Sequence, residues 1–138
     1  MPSSAVFSAA LTIGLAGVNI NVSDLTVDGL TLKNLSCALD SGGLFASALV
    51  VGALAKERKA LDACVPAGAA VELEWTWSGG AASNAEALRA SVVNKAPCVA
   101  AVVMAVPAPA NGTCRATVLV GEPATATAAV AQLEPVPK

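Results

Sequence analysis

The stretch AAVELEWTWS (residues 69–78) is the part of this chain with the least freedom in what it can become. Val71, Leu73, Trp75 and Trp77 alternate with Glu72, Glu74 and Thr76, the period-2 pattern of a strand with one face buried and one face wet. A strand at about 69–77 follows. The chain has two Trp, two Phe and no Tyr, so both of its largest side chains lie on that one face. The rest of the core has to be Val, Leu and Ala, which suits a composition that is 55% hydrophobic but 3% aromatic. Trp75 and Trp77 are therefore core residues, with Phe7 and Phe45 as the other large fillers. At 138 residues the chain fits one domain with a sizeable core.

Around this strand the elements alternate. Asp24–Leu32 (DLTVDGLTL) carries a hairpin signal, because Asp28-Gly29 supplies the positive-φ pair of a type I′ turn between alternating apolar residues. Strands are expected near 5–14, 17–22, 24–28 and 30–38. Asp40–Cys64 reads as one helix capped by Asp40 or Ser41, whose side-chain oxygens can satisfy an orphan N–H. Its first half is apolar almost all round, the mark of a buried helix. Gly52 in its middle argues for close packing, and Pro66 ends it. A strand near 87–92 pairs with the Trp strand. Lys95–Val106 forms a short buried helix with Pro97 in its first turn, where the missing N–H does no harm. Thr113–Glu122 is the last strand, and Pro123–Lys138 is a low-complexity tail, either disordered or an added edge strand. The expected fold is α+β: a mostly antiparallel sheet with two helices packed on one face and an N-terminal β extension. By segment, residues 1–39 are β, either part of the same domain or an exchange arm. Residues 40–122 form the core and 123–138 the tail.

Charge excludes some functions. Only 13% of residues are charged and the net charge is −2, whereas nucleic-acid binders carry a basic patch. The one cationic cluster, Lys56–Lys59 (KERK), contains an acid and sits late in a helix, where the macrodipole favours it. With no His and no Tyr, general acid–base work would fall to carboxylates. Glu72 and Glu74 share a strand face and are the one candidate pair for an enzyme, but they read better as the wet side of an amphipathic strand. Gly42–Leu44 at a helix start lacks the Lys and Ser/Thr of a phosphate loop. No catalytic residue, cofactor or metal ligand is assigned.

Four cysteines, Cys37, Cys64, Cys98 and Cys114, need an explanation. None are spaced C-x-x-C and there is no His, which argues against zinc and against a thioredoxin-like motif. A tetrathiolate site and buried free thiols are weaker readings than two disulfides, which belong to an oxidising compartment. Spacing alone leaves three connectivities open. The run Ala5–Ile20 is apolar like a leader peptide, yet no Lys or Arg precedes Lys33, so the cationic n-region is missing. Leu15–Val18 (LAGV) looks like a lipoprotein cleavage box with valine in place of cysteine. The run is too short to span a membrane. The expectation is mature protein, with Met1 standing where a leader was removed.

From Leu54 to Gly121 the order of features resembles a known family. A helix ending in Cys64, the GAAVELEWTWSGG strand, a second helix carrying Cys98, the step AVPAPA (Ala105–Ala110) and a last Val-rich strand are similar to a TonB C-terminal-type domain. The closest likeness is to the cysteine-containing variants of myxobacterial cell-envelope and gliding-machinery proteins. The resemblance covers about residues 54–121. The chain departs from the family in lacking a Tyr-Pro before the first strand, an aromatic-rich W-x-F-x-P step and a long Pro-rich spacer. The resemblance implies a Cys64–Cys98 bond stapling the two helices, which leaves Cys37 and Cys114 to each other. Such a bridge would stabilise by roughly 3–4 kcal/mol in the chain-entropy model. It also implies a binding mode, in which an exposed sheet edge accepts another strand.

The expected function is a non-catalytic cell-envelope protein of the bacterial periplasm, outer-membrane surface or exterior. It would bind or self-assemble through sheet edges and an apolar helix surface, as a ring or filament subunit. The expected partner is a second copy or another envelope protein, with no nucleic acid and no membrane span. Candidate interface residues are Val6, Phe7, Leu11, Ile13, Leu15, Val118, Val120 and Val130. A carrier of an apolar ligand and a partner-binding periplasmic adaptor are the alternatives.

Overall fold

A computed structural model describes residues 17–138. Strands β1 (Val18–Val27) and β2 (Leu30–Leu39) form a hairpin, followed by helices α1 (Ala46–Ala55) and α2 (Arg58–Cys64). A second hairpin, β3 (Ala69–Ser78) and β4 (Ala81–Ala90), leads to α3 (Ala96–Met104), then β5 (Gly112–Val120), α4 (Pro123–Ala129) and the two-residue β6 (Glu134–Pro135). All described strands join one antiparallel sheet in the order β1-β2-β5-β3-β4-β6. Two crossovers interlace. The connection β2–α1–α2–β3 passes over β5, and β4–α3–β5 passes over β3. The α+β class and antiparallel sheet are as the sequence indicates.

Both hairpins turn on positive-φ pairs, Asp28-Gly29 (φ 49° and 83°) and Gly79-Gly80 (φ 65° and 85°), the geometry that matches strand twist. The core lies between the sheet and α1, α2 and α3. Leu30, Leu32, Leu35, Val71, Leu73, Trp75, Trp77 and Val118 on the strands meet Val50, Val51, Leu54, Leu61, Val99 and Val103 on the helices. Trp75 and Trp77 are fully buried and meet edge to face, with centroids 5.8 Å apart. Neither indole N–H has a protein acceptor among the described residues. These two rings supply volume in a core otherwise made of small aliphatic side chains.

Several expectations are corrected. Residues 18–27 form one strand rather than two. Its inward phase runs Val18, Ile20, Val22 and then switches to Leu25 and Val27. On β2 the buried phase switches in the same way, from Leu30 and Leu32 to Leu35, Cys37 and Leu39. Asn34 sits at φ 53° where β2 shifts register against β5 between Lys33 and Ser36. An extra residue in a bulge changes the phase without ending the strand. β4 begins at Ala81, ahead of the expected 87, because register shifts opposite Glu72/Leu73 and Thr76/Trp77 break its alternation.

The expected helix over Asp40–Cys64 is two helices, broken at Lys56–Glu57. α1 packs on β1 and β2, whereas α2 packs on α3 and β5, so the break redirects the chain toward the middle of the sheet. Three helices therefore cover this face, one more than expected. Neither Asp40 nor Ser41 caps α1. Gly42 and Gly43, at φ 130° and 61°, delay the helix to Ala46, and Asp40 instead accepts bonds from the Asn111 backbone and side chain at 3.0 and 3.1 Å. Gly52 is not forced by close packing, since an added Cβ would meet only Val27 Cγ1 at 4.0 Å.

The tail is structured. Glu122 caps α4 by accepting from the Thr125 and Ala124 amides at 2.8 and 3.1 Å, with Pro123 in the first turn. α4 covers the opposite face of the sheet through Ala126 and Ala129 on Ala70 and Leu119. β6 then pairs with the end of β4, Arg89 opposite Pro135 and Ala90 opposite Glu134.

Candidate interaction surface

The structure joins Cys37 to Cys114 and Cys64 to Cys98, and no described cysteine is free. Cys37 and Cys114 face each other across β2 and β5 and are buried. The second bridge links the end of α2 to the first turn of α3, with Cys64 buried and Cys98 exposed. Two disulfides are the usage of a chain held in an oxidising compartment outside the cytoplasm. No helix among the described residues is long and apolar enough to cross a membrane.

The Glu72/Glu74 pair does not form a coupled dyad. Glu72 is clasped by Arg89 at 2.8 Å and Arg115 at 3.4 Å on the outer sheet face. Burial pushes its carboxyl up, but the Arg89 hydrogen bond and the charges of Arg89 and Arg115 outweigh it, so its pKa lies below the ordinary value. A carboxylate held ionised this way is a structural anion. Glu74 lies opposite Arg115 on one side and Glu86 on the other. Among the described residues no cluster of His, Cys, Asp or Glu is arranged to hold a metal ion. A cleft of about 270 Å³ beside α4 contains Arg58 and Asp62, both already engaged: Arg58 donates to the Asp28 carbonyl and Asp62 accepts from the Gly121 amide.

The distinctive surface lies at the β1 edge. No described strand pairs with the outer side of β1, whose first half, Val18–Ser23, bears no charge. α1 packs over β1. The turn that leads into α1 holds Leu44 and Phe45 out in solvent, 96% and 73% exposed, and Leu49 follows one helical turn after Phe45 at 48%. Their position follows from the glycines. Gly42 and Gly43 turn the chain at positive φ before α1 begins, and Leu44 and Phe45 that follow stand in solvent rather than pack on the sheet. A groove of about 330 Å³ lies between β1 and the start of α1, lined by Val18, Asn19, Ile20, Asn21 and Val22 below and by Gly43, Leu44, Ala46 and Ser47 above. Backbone hydrogen-bonding groups and an apolar ledge thus lie side by side.

The candidate interface residues divide three ways. Val118 and Val120 are buried in the core and unavailable as an interface, because β5 lies in the interior of the sheet, between β2 and β3. Val130 is half-buried against the small cluster beneath α4. Val6, Phe7, Leu11, Ile13 and Leu15 lie outside the described residues, as does the strand expected near 5–14. Phe45, expected as core filler, is exposed, and with Leu44 and Leu49 it forms the ledge that sequence reading missed. The signal was present: a helix start apolar on every side has more apolar residues than one buried face can take. No family model, curated protein or solved structure matches the chain.

Proposed function

We propose that this is a non-catalytic cell-envelope protein that binds another chain, in the first place a second copy of itself, by strand addition along β1. The observation that carries the reading is the β1 edge, unpaired among the described residues, with Leu44 bordering its groove and Phe45 and Leu49 exposed next in the chain. An added strand would satisfy the N–H and C=O groups of β1 that no described strand pairs and bring alternate side chains toward Leu44. The TonB C-terminal-type resemblance supports the same mode, and the two disulfides support the periplasm or cell surface as its setting. A contact between unlike surfaces of identical chains closes into a ring or grows into a filament.

The test is the assembly state of the full chain by light scattering and negative-stain microscopy across concentration. Concentration-dependent oligomers that Phe45→Asp abolishes are expected. A monomer insensitive to concentration sinks self-assembly.

A further inference from the structure

We infer that the strand added to β1 is the N-terminal segment Phe7–Leu15 of a second copy. This rests on the strand-addition reading above and names its donor. Three observations converge on the segment. The first is pattern: Phe7, Ala9, Leu11, Ile13 and Leu15 are apolar at every second position, with Ser8, Ala10, Thr12 and Gly14 between them. A strand of that pattern offers backbone groups to an edge and one apolar row to a ledge. The β1 groove can take both, since its lining alternates Val18, Ile20 and Val22 with Asn19 and Asn21 beneath Leu44.

The second is length and charge. Phe7–Leu15 extended spans roughly 30 Å, enough to cover the uncharged half of β1, Val18–Ser23, which spans roughly 20 Å. Neither the segment nor Val18–Ser23 carries a charge, so pairing them leaves no charged side chain desolvated.

The third separates a neighbour's segment from the chain's own. To lie on its own β1 the segment must reverse within Gly14–Gly17 (GLAG), immediately before Val18. The two hairpins of this chain turn on Asp-Gly and Gly-Gly with both residues at positive φ. GLAG has glycines at its two ends but no adjacent Asp-Gly or Gly-Gly pair, and its Leu15 continues the apolar row, so a reversal there would place Leu15 in the loop. Extended, the same residues let Leu15 stay in the row and leave Ala16-Gly17 as the link to the donor's own β1.

The experiment uses full chains with two kinds of variant. A donor variant carries Leu11→Asp and Ile13→Asp. An acceptor variant carries Leu44→Asp and Phe45→Asp, both at exposed positions where the fold does not depend on them. Far-UV circular dichroism and the absence of free thiols confirm that each is folded. Each variant alone should stay monomeric at about ten times the concentration at which the unaltered chain assembles. Mixed, they should give a 1:1 heterodimer that grows no further, because one intact donor then meets one intact acceptor. A synthetic peptide of residues 5–16 should bind the donor variant saturably and the acceptor variant not at all. If the donor variant still assembles, the inference fails while the edge reading stands. If the unaltered chain is a monomer and the donor variant merely melts lower, the segment lies on its own chain, and both readings fail.

Discussion

The two edges of the sheet are built to opposite ends. The β4 edge is short of regular backbone: two register shifts against β3 interrupt it, β6 pairs with its final residues, and the Val136 amide reaches the Leu88 carbonyl at 3.0 Å. Bulges and a covering segment are the ordinary means by which a sheet avoids unwanted pairing. The β1 edge has neither a covering strand among the described residues nor a lysine or proline, and it runs beside exposed Leu and Phe. Among the described residues one edge is thus bulged and covered while the other lies open near exposed apolar side chains, and under the proposed function the first serves the fold and the second a partner.

Each half of the sheet also has its own covalent staple, and breaking them gives the largest expected effects. Cys37–Cys114 fastens the β1–β2 hairpin to the centre across 77 residues of chain, so Cys37→Ala with Cys114→Ala should lower stability by about 4.5 kcal/mol in denaturant titration. Cys64–Cys98 fastens the helix layer that packs on β4 and spans 34 residues, for a loss of about 4 kcal/mol. The first loss should loosen the β1 edge and the second should leave it in place. Hydrogen exchange of β1 amides in the two double variants separates them, and equal protection in both would break the comparison.

A smaller effect is expected at the protected edge. Glu122 caps α4, which leads to β6, and hydrogen bonds from the Thr125 amide, the Ala124 amide and the Thr125 hydroxyl hold its carboxyl below the usual range. A lowered folded-state pKa means that the cap stabilises fully above the ordinary carboxylate value of about 4.3 and is lost as pH falls through the folded value. Glu122→Gln should flatten that acid dependence and reduce α4 and β6 protection at neutral pH. It should not cause assembly through β4, whose bulges remain. Oligomers of this variant through β4 would show that β6, not the bulges, protects that edge.

The smallest change sharpens the other side. Gly52 lies mid-helix in α1 above β1, with space for a Cβ against Val27. Gly52→Ala should raise stability by about 0.5–1 kcal/mol, read from the denaturation midpoint, and leave assembly unchanged. A loss of stability would mean that α1 sits closer to β1 than described.

Sequence patterning made legible whatever depended on unbroken periodicity. The Trp strand, the Asp28-Gly29 hairpin and the helix carrying Cys98 were readable because local pattern and tertiary burial agree there. The features that escaped involve a residue that changes phase or a partner distant in sequence. The phase switch along β1 made one strand look like two, and Asp40 gave its carboxylate to Asn111 rather than to α1. α4 escaped because its helix is short, rich in Ala and Thr, and held by a glutamate cap and by Ala70 and Leu119 across the sheet. In the candidate surface, the apolar excess was visible but not its location. Only the turn between Gly43 and Ala46 shows that Leu44 and Phe45 point outward.

The central claim, that β1 is the partner edge, is tested most directly by amide hydrogen exchange of the full chain at low and high concentration. Protection of β1 amides should rise with concentration, together with those flanking Leu44–Leu49, while β4 amides stay constant. A rise confined to β4, or no rise at either edge while the chain assembles, would contradict it.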